Sequence, residues 1–284
     1  MAYRGGLIAK KNKSKVIKSA TVSNTYAHEI QTPYYGEGLD GLLQARWQSL
    51  WGIVNGIDYD IFNPAKDEKI ACKYNLRNYK KNKVKNKLAL QKELGLPEDE
   101  NVYMMGIVSR LTDQKGLDLI DHTMNDIMTD GTQLVVLGTG DRRYEDMFRY
   151  YQGFHPQKLS ANIYFSDELS HKIYAGCDSI LVPSRFEPCG LTQLMALKYG
   201  SLPIVRETGG LKDTVQPYNE FEGTGTGFSF ANYDSRELLN TINYSKKIFF
   251  DDKNAWYAMQ KRAMEQDYSW DSSAKVYEQL YAEI

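Results

Sequence analysis

The sequence predicts an α/β protein built on a doubly wound, Rossmann-like parallel sheet. Short apolar runs alternate with stretches of helical spacing between residues 103 and 230, which is the pattern of right-handed βαβ units. Two of these runs also lead into a loop and a helix that carry charged residues and glycine, as corners do at the ligand-binding edge of such sheets. We therefore expect parallel strands with helices on both faces.

The part of the chain before this sheet carries weaker secondary-structure signals. Ser23 or Asn24 can cap a helix, because both side chains accept hydrogen bonds from a first helical turn. The pair Asn55-Gly56 is a turn signal. The elements predicted here are a short strand at residues 16–22, a helix through 28–30, a loop at 33–41, an amphipathic stretch at 42–50, a polar connector from 63 to about 84, and a helix at 84–94.

The sheet and the closing helices follow in order. Strands are predicted at residues 103–108, 133–137, 162–165, 179–182, 202–205 and 227–230, and the last three helices at 235–249, 252–265 and 271–284. The final helix carries Tyr277, Leu280, Tyr281 and Ile284 on one face, which is more apolar than a solvated terminal helix needs. We expect this stripe to be buried rather than frayed, either by folding back on the chain or by self-association with a second copy.

The first corner spans residues 182–193 and joins the strand at 179–182 to a helix. Pro188 and Gly190 cannot continue either element, so the first amides of the helix are expected to be unpaired and to form an anion site with the helix dipole. Glu187 lies just ahead of this site, which suits a neutral polyhydroxylated group held beside a phosphate. An ordinary turn with a solvated glutamate would explain the same residues. The amides belong to Leu191, Thr192 and Gln193.

The second corner spans residues 106–118 and contains two cations, Arg110 and Lys115, at the exit of the strand at 103–108. Because ligands bind at the carboxyl ends of strands in an open parallel sheet, both corners should face one crevice. Cations are unfavourable at a helix start unless an anion lies there too. The alternative is a pair of surface cations with no ligand.

Together the two corners resemble the bacterial glycogen synthases and plant starch synthases, which are glucosyltransferases of the two-domain GT-B fold. The resemblance implies that this chain is the carboxy-terminal, nucleotide-sugar-binding part of such an enzyme. It extends over residues 21–30, 35–43, 53–58, 180–205 and 208–215 and over the ending Tyr268-Ser269-Trp270.

The start of the chain departs from the family. Glycogen synthases carry a Lys-x-Gly-Gly-Leu loop near their amino terminus, whereas the stretch Arg4-Gly5-Gly6-Leu7 has no lysine at that place. The next recognisable segment begins at Thr21 and resembles the end of the family's first domain. We therefore expect residues 1–50 to be a remnant of the amino-terminal domain with its connector, residues 51–284 to form the nucleotide-sugar-binding domain, and most of the first domain to be missing.

The resemblance also implies roles at the two corners. Arg110 and Lys115 would stabilise the charge of the departing nucleoside diphosphate, and Glu187 would contact the donor sugar. Met195 stands where many related glycosyltransferases carry a second glutamate, so a two-carboxylate scheme is unsupported and retention is expected by leaving-group-assisted front-face attack. Cys189 has no evident base beside it and is expected to act through its backbone. The phosphate-binding residues implied are Cys189, Gly190, Leu191 and Thr192.

Other donor-binding residues are implied outside the two corners. Asn55 and Asp58 match the family's Asn-Gly-hydrophobic-Asp signature, although a turn explains much of the same pattern. Gly138 and Gly140 follow a buried strand and would let a ligand approach the backbone. Phe165 is expected to stack on the base, where the family usually has tyrosine, with core filler as the alternative.

Composition and charge exclude several classes of partner. A net charge of −1 over 284 residues argues against a general polyanion-binding surface, and hence against nucleic acid. No run is long enough to span a membrane, and three widely spaced cysteines form neither a disulfide framework nor a zinc site. The lysine-rich run at residues 80–87 is interpreted as a solvated helix entry. We expect a cytoplasmic protein with no membrane partner, no metal and no cofactor.

The parent function implied by the resemblance is transfer of glucose from ADP-glucose to the nonreducing end of an α-1,4-glucan, with the glucan bound through the missing amino-terminal domain. Three alternatives stay open. The donor could be UDP-glucose, the chain could be a nucleotide-sugar-binding module without turnover, or it could be a nicotinamide oxidoreductase. The last is disfavoured because Arg143 stands where the dinucleotide fingerprint needs a third glycine.

Overall fold

The computed structural model describes residues 11–12, 15–16 and 18–283, with side chains from residue 18 onward. The Arg4-Gly5-Gly6-Leu7 stretch and Ile284 lie outside the described residues. The first part of the chain contains β1 (Lys11–Asn12), β2 (Lys15–Val16), β3 (Ser19–Thr21), α1 (Asn24–Glu29), α2 (Asp40–Gln44), a 3-10 turn (Trp47–Ser49), β4 (Leu50–Gly52) and α3 (Tyr79–Glu93).

The rest of the chain alternates strands with helices before it ends in three consecutive helices, as predicted. Its elements are β5 (Tyr103–Val108), a 3-10 turn (Asp113–Lys115), α4 (Leu117–Ile127), β6 (Thr132–Leu137), α5 (Arg142–Phe154), β7 (Leu159–Asn162), α6 (Asp167–Gly176), β8 (Ser179–Val182), α7 (Thr192–Lys198), β9 (Leu202–Arg206), α8 (Gly209–Thr214), β10 (Phe228–Phe230), α9 (Ser235–Asp251), α10 (Lys253–Glu265) and α11 (Trp270–Ala282).

The main sheet is parallel throughout, with the order β10-β9-β8-β5-β6-β7. The chain runs outward from β5 to β7, returns to place β8 beside β5, and runs outward again to β10. This reversal confirms the doubly wound fold. It also creates a crevice above the carboxyl ends of β5 and β8, where ligands bind in such sheets.

Alternate side chains of the central strands enter two cores, one on each face of the sheet. On one face Tyr103 and Ile107 pack in a cluster with residues of α4 and α9. On the other face Met104 and Ile180 pack in a cluster with residues of α3 and α6. Gly106 is part of β5, and a Cβ at this position would come within 2.7 Å of the Ile173 side chain of α6. The central strands and α6 are therefore in close contact.

One predicted strand is displaced. The sequence predicted a strand at residues 162–165, whereas β7 covers Leu159–Asn162 and pairs with β6 from Leu134↔Leu159 to Leu137↔Asn162. Phe165 consequently follows the strand in a loop and is 87% exposed. Pairing with β6 and the burial of Leu159 outweigh the more apolar sequence that follows Asn162.

The interpretation of the lysine-rich run as a solvated helix entry is wrong for two of its members. Lys83 and Lys87 lie within α3 and are 6% and 3% exposed. Lys83 Nζ donates to the carbonyl oxygens of Ala175 at 3.0 Å and Tyr199 at 3.2 Å, at the carboxyl ends of α6 and α7. Lys87 Nζ forms a 2.6 Å ion pair with Asp178. Both ammonium groups can be buried because carbonyl and carboxylate oxygens accept their hydrogen bonds in the interior.

The last helix folds back on the first part of the chain. β3 and β4 pair in parallel, and Leu280 of α11 packs on them with Ala20 and Ile53. Lys18 Nζ also forms a 2.6 Å ion pair with Glu283. Burial by refolding, one of the two outcomes expected for the apolar stripe, is confirmed for Leu280. Pairing with a second copy stays a prediction.

We predict that Leu280→Ala lowers the free energy of unfolding by about 2–5 kcal/mol, because a buried leucine is replaced by a cavity. Leu280 is 3% exposed, whereas Tyr281 on the next position is 55% exposed. The matched control Tyr281→Ala should therefore change stability far less. Urea denaturation measures both variants, and equal losses would contradict the packing described for α11.

Candidate active site

A cavity of about 830 Å³ opens above the carboxyl ends of β5 and β8. Both predicted corners contribute to its wall, and so does the first part of the chain. Predicted site residues that line it are Asn55, Arg110, Lys115, Glu187, Cys189, Gly190 and Leu191. Pro188, which the sequence placed at the corner, lines it too, and the lining residues that the sequence did not single out are Val22, Tyr26, Tyr34, Tyr35, Glu37, Gln114, Arg185 and Phe186.

An ion pair joins the two corners inside this cavity. Lys115 Nζ lies 2.5 Å from Glu187 Oε2, and the side chains are 17% and 10% exposed. Each charge therefore has a partner in a largely water-excluded place, where an unpaired charge would be costly. Arg110 also lines the cavity, but its guanidinium makes no hydrogen bond or ion pair with the residues that the structure describes. This leaves its five N–H donors available to an anion.

Two residues that the sequence did not single out support Glu187. Ser184 Oγ donates to Glu187 Oε2 at 3.0 Å. Arg206, at the end of β9, is 7% exposed; its Nε donates to the Ser184 carbonyl at 2.9 Å and its guanidinium also contacts the Arg185 carbonyl. The carboxylate is thus held by a hydroxyl whose own backbone is anchored on the neighbouring strand.

Backbone contacts bring the two corners together. Gly116 has φ +70°, and a Cβ on it would lie 2.0 Å from the carbonyl oxygen of Pro183, so only glycine allows this approach. The Arg185 N–H donates to the Gln114 carbonyl at 2.9 Å, and Gln114 Nε2 donates to the Phe186 carbonyl at 3.2 Å. Because the two corners are joined in this way, Lys115 and Glu187 are held within contact distance.

The glycine pair Gly138 and Gly140 lies beside the cavity and not in its wall. A Cβ on Gly138 would come within 1.9 Å of the Ser109 carbonyl, and one on Gly140 within 2.3 Å of the Leu111 carbonyl. Leu111 N–H also donates to the Thr139 carbonyl at 2.9 Å. These glycines let the turn after β6 pack on the turn that carries Arg110. They therefore support the cavity wall and do not line it.

The turn before α7 forms the cavity wall beyond Glu187. Gly190 has a left-handed φ of +72°, and α7 begins at Thr192. Thr192 Oγ1 donates to the Val108 carbonyl at 3.3 Å, which ties this helix to the end of β5. The N–H groups of Gly190 and Leu191 have no hydrogen-bond partner among residues 18–283. They are free to donate, as the sequence predicted for Leu191.

Helix α1 is bonded to the same corner. Ser23 caps this helix and its Oγ also donates to the Pro188 carbonyl at 2.7 Å. Glu29 Oε1 accepts from Thr208 Oγ1 at 2.8 Å and from the Gly209 N–H at 3.0 Å. A carboxylate of the chain itself therefore occupies the amino-terminal end of α8, so this turn does not offer its Gly209 amide to a ligand.

Of the three predicted donor-binding residues outside the corners and the glycine pair, one lines the cavity and two do not. Asn55 lines the cavity, and its backbone N–H bonds to Cys189. Asp58 lies in an exposed turn, where its Oδ1 accepts from the Asp60 N–H at 2.8 Å. Phe165 lies in the exposed loop after β7. The structure does not bring Asp58 or Phe165 into the cavity wall.

Two kinds of feature are absent from the described residues, a metal-binding cluster and a membrane-spanning helix. No group of three or more histidine, cysteine, aspartate or glutamate side chains in residues 18–283 is arranged to hold a metal ion. None of the helices described is both long and apolar enough to cross a membrane.

The sequence matches a known family. A model described as glycosyl transferases group 1 matches residues 86–253, which is more than half of the chain. The chain belongs to this family. A second model, described as the starch synthase catalytic domain, matches residues 16–45. The group 1 match covers the whole main sheet, β5 to β10, and so includes both corners of the cavity.

Two relatives of this group 1 glycosyltransferase are glycogen synthases. The glycogen synthase of Lachnospira eligens is 59% identical over 92% of this chain and 55% of its own length. The glycogen synthase of Clostridium acetobutylicum is 54% identical over 94% of this chain and 56% of its own length. The predicted resemblance to glycogen synthases is confirmed, and the chain spans about half the length of the relatives it matches.

Solved structures agree with this result. The catalytic domain of starch synthase IV from Arabidopsis thaliana, bound to ADP and acarbose, superposes with a TM-score of 0.86 and 35% identity over 94% of this chain and 55% of that one. Sucrose-phosphate synthase from Thermosynechococcus elongatus has a TM-score of 0.59 at 20% identity over 93% of this chain and 58% of that one, which shows a shared fold alone. The predicted fold class of this group 1 glycosyltransferase is confirmed.

We predict that Cys189 resists alkylation at neutral pH. Burial raises the pKa of its thiol to about 11 from 9.0, although the Asn55 N–H opposes the shift. The thiol is therefore protonated in the fold; the stability from this shift is present below the unfolded pKa and is lost as pH rises through about 11. Peptide mass spectrometry should find iodoacetamide first on the partly exposed Cys72. Labelling of Cys189 as fast as Cys72 would contradict this.

Proposed function

We propose that this chain is the donor-binding half of a glycogen synthase, which transfers glucose from ADP-glucose to the nonreducing end of an α-1,4-glucan with retention. The observation that carries the proposal is the Lys115–Glu187 pair, at 2.5 Å, between the two strands that flank the reversal of the sheet. Relatives at 59% and 54% identity that bear the name glycogen synthase support it.

The two cations suit the leaving group. As the bond from the glucose C1 to the diphosphate oxygen breaks, negative charge grows on that oxygen, and Arg110 and Lys115 stabilise it. The new bond forms from C1 to the acceptor hydroxyl oxygen, whose proton passes to the departing diphosphate. Arg110, Gly190 and Leu191 line the same cavity, and the unpaired guanidinium and the two unpaired amides would hold the phosphates.

A single carboxylate serves the sugar in this scheme. Glu187 is 8% exposed, with Ser184 and Lys115 on its Oε2, and would accept hydrogen bonds from glucose hydroxyls. Met195 is partly buried against the core and is not among the residues that line the cavity, and its side chain supplies no second acid. Retention therefore proceeds by front-face attack assisted by the leaving diphosphate and not by a glycosyl-enzyme intermediate.

ADP-glucose is the preferred donor because the starch synthase IV structure at 35% identity contains ADP. The same structure contains acarbose, which supports an α-glucan acceptor. We propose that this acceptor is bound through the part of the relatives that the chain does not match. Asn55 would contact the donor from the cavity wall. Base stacking by Phe165 and a contact from Asp58 stay predictions, as do a cytoplasmic location and independence from metals and cofactors.

We predict that the chain alone binds ADP or ADP-glucose and does not elongate glycogen, because it carries the diphosphate site without the acceptor part. At about a hundredfold excess over its dissociation constant, ligand should stabilise the fold by roughly 2.7 kcal/mol. Differential scanning calorimetry would record this as a rise in Tm, with UDP-glucose as the competing donor. No rise with any nucleotide sugar, or robust elongation by the chain alone, would refute the proposal.

We predict that Lys115→Ala and Glu187→Ala fail differently in an enzyme that carries both halves. Lys115 meets charge present before and during reaction, so its loss should weaken ADP binding about tenfold or more and slow turnover. Glu187 meets the sugar, so its loss should cut turnover and leave ADP affinity nearly intact. Lys158→Ala is the control, since Lys158 pairs with Asp130 on the surface. Equal losses of ADP affinity in calorimetry would show that the roles assigned to Lys115 and Glu187 are wrong.

A further inference from the structure

Gln193 lies beneath the turn that forms the cavity wall, and none of the roles described above involves its side chain. The side chain is fully buried, at 0% exposed. Its Nε2 has three acceptors within hydrogen-bond distance for its two hydrogens: the Cys189 carbonyl at 3.0 Å, the Gly190 carbonyl at 2.9 Å and Thr214 Oγ1 at 3.1 Å. One amide group therefore holds two consecutive carbonyls of the wall and links them to α8.

These two bonds set the direction of the peptide N–H groups. A trans peptide is planar, and its C=O and N–H point in opposite directions. A Cys189 carbonyl directed toward Gln193 turns the Gly190 N–H away from it, and a Gly190 carbonyl directed there does the same for the Leu191 N–H. Gly190 and Leu191 both line the cavity, and neither N–H group has a hydrogen-bond partner in the described part of the chain.

We propose that Gln193 is a positioning residue that aims these two amides at the phosphates of the donor. The inference rests on the proposed function, because its ligand is a nucleoside diphosphate. Glycine at position 190 gives the wall no side chain of its own and many accessible backbone conformations. The bonds from Gln193 select one of them before the ligand arrives, so less ordering is needed on binding.

The surroundings of Gln193 argue against a purely structural role. Its Oε1 is buried without a hydrogen-bond partner among the described residues. An unpaired buried oxygen is unfavourable, and an apolar side chain of the same length would avoid it. The bonds that Nε2 makes to the turn explain why an amide stands at this position despite the unpaired oxygen.

The first test is Gln193→Met, which keeps the length of the side chain and removes its donor. We expect its dissociation constant for ADP to rise about tenfold or more, as for lost hydrogen bonds to a charged group, while that for adenosine stays unchanged. Gln260→Met is the matched control, because Gln260 is 3% exposed and its Nε2 donates to the Gly200 carbonyl at 2.8 Å, outside the cavity wall. It should bind ADP like the unaltered chain in isothermal titration calorimetry.

A second variant separates positioning from packing and serves if Gln193→Met does not fold. Gln193→Glu can donate one hydrogen bond when its carboxyl group is protonated and none when it is ionised. Its ADP affinity relative to the unaltered chain should therefore rise as pH falls, whereas that of Gln193→Met should not.

The outcomes are distinguishable. Unchanged ADP affinity in Gln193→Met, an equal loss of ADP and adenosine affinity, or a pH-independent ratio for Gln193→Glu would overturn the positioning role and leave the proposed function standing. Failure of the unaltered chain to bind ADP would overturn the proposed function and this inference with it.

Discussion

The parallel contact between β5 and β8 is the constraint on which the rest of the structure depends. These strands are far apart in sequence, yet Met105 pairs with Ser179 and Gly106 with Ile180 at the centre of the sheet. Their neighbours extend in opposite directions, so the loops that leave them diverge and open the crevice. Glycine at position 106 lets α6 pack directly on this junction. Without this contact Lys115 and Glu187, at the two strand exits, would not meet.

Much of this architecture could be predicted because the central strands have a local signal. The runs at residues 103–108 and 179–182 are buried on both faces, and the structure reproduces their predicted bounds. The edge strand β7 could not be placed, because its sequence Leu-Ser-Ala-Asn is less apolar than the residues after it and its register depends on β6. The burial of Lys83 could not be predicted from the sequence either, since its partners are backbone carbonyls of helices about a hundred residues away.

In the candidate site, too, residues with a local sequence signal could be predicted and residues placed by tertiary contacts could not. Arg110, Lys115 and Glu187 could be singled out because charged residues at strand exits are unusual and have a chemical reason to be there. Arg206, Ser184 and Gln193 support the wall through contacts that depend on the tertiary fold, and an arginine at the end of an apolar strand was the one available signal. Glu29 had no signal, because its role depends on how α1 packs on α8.

The ion pair between Lys18 and Glu283 brings together, on the surface, two residues that are 265 positions apart in the sequence. Because the two side chains are in contact, their backbones are separated by no more than the summed lengths of a lysine and a glutamate side chain. A linker of about four residues, at roughly 3.3–3.6 Å each, can span such a distance. Residues 18–283 can therefore be circularly permuted, with residue 283 joined to residue 18 and new ends opened in an exposed loop. The turn around Phe221, a residue 94% exposed and away from the cavity wall, is a suitable place for the new ends.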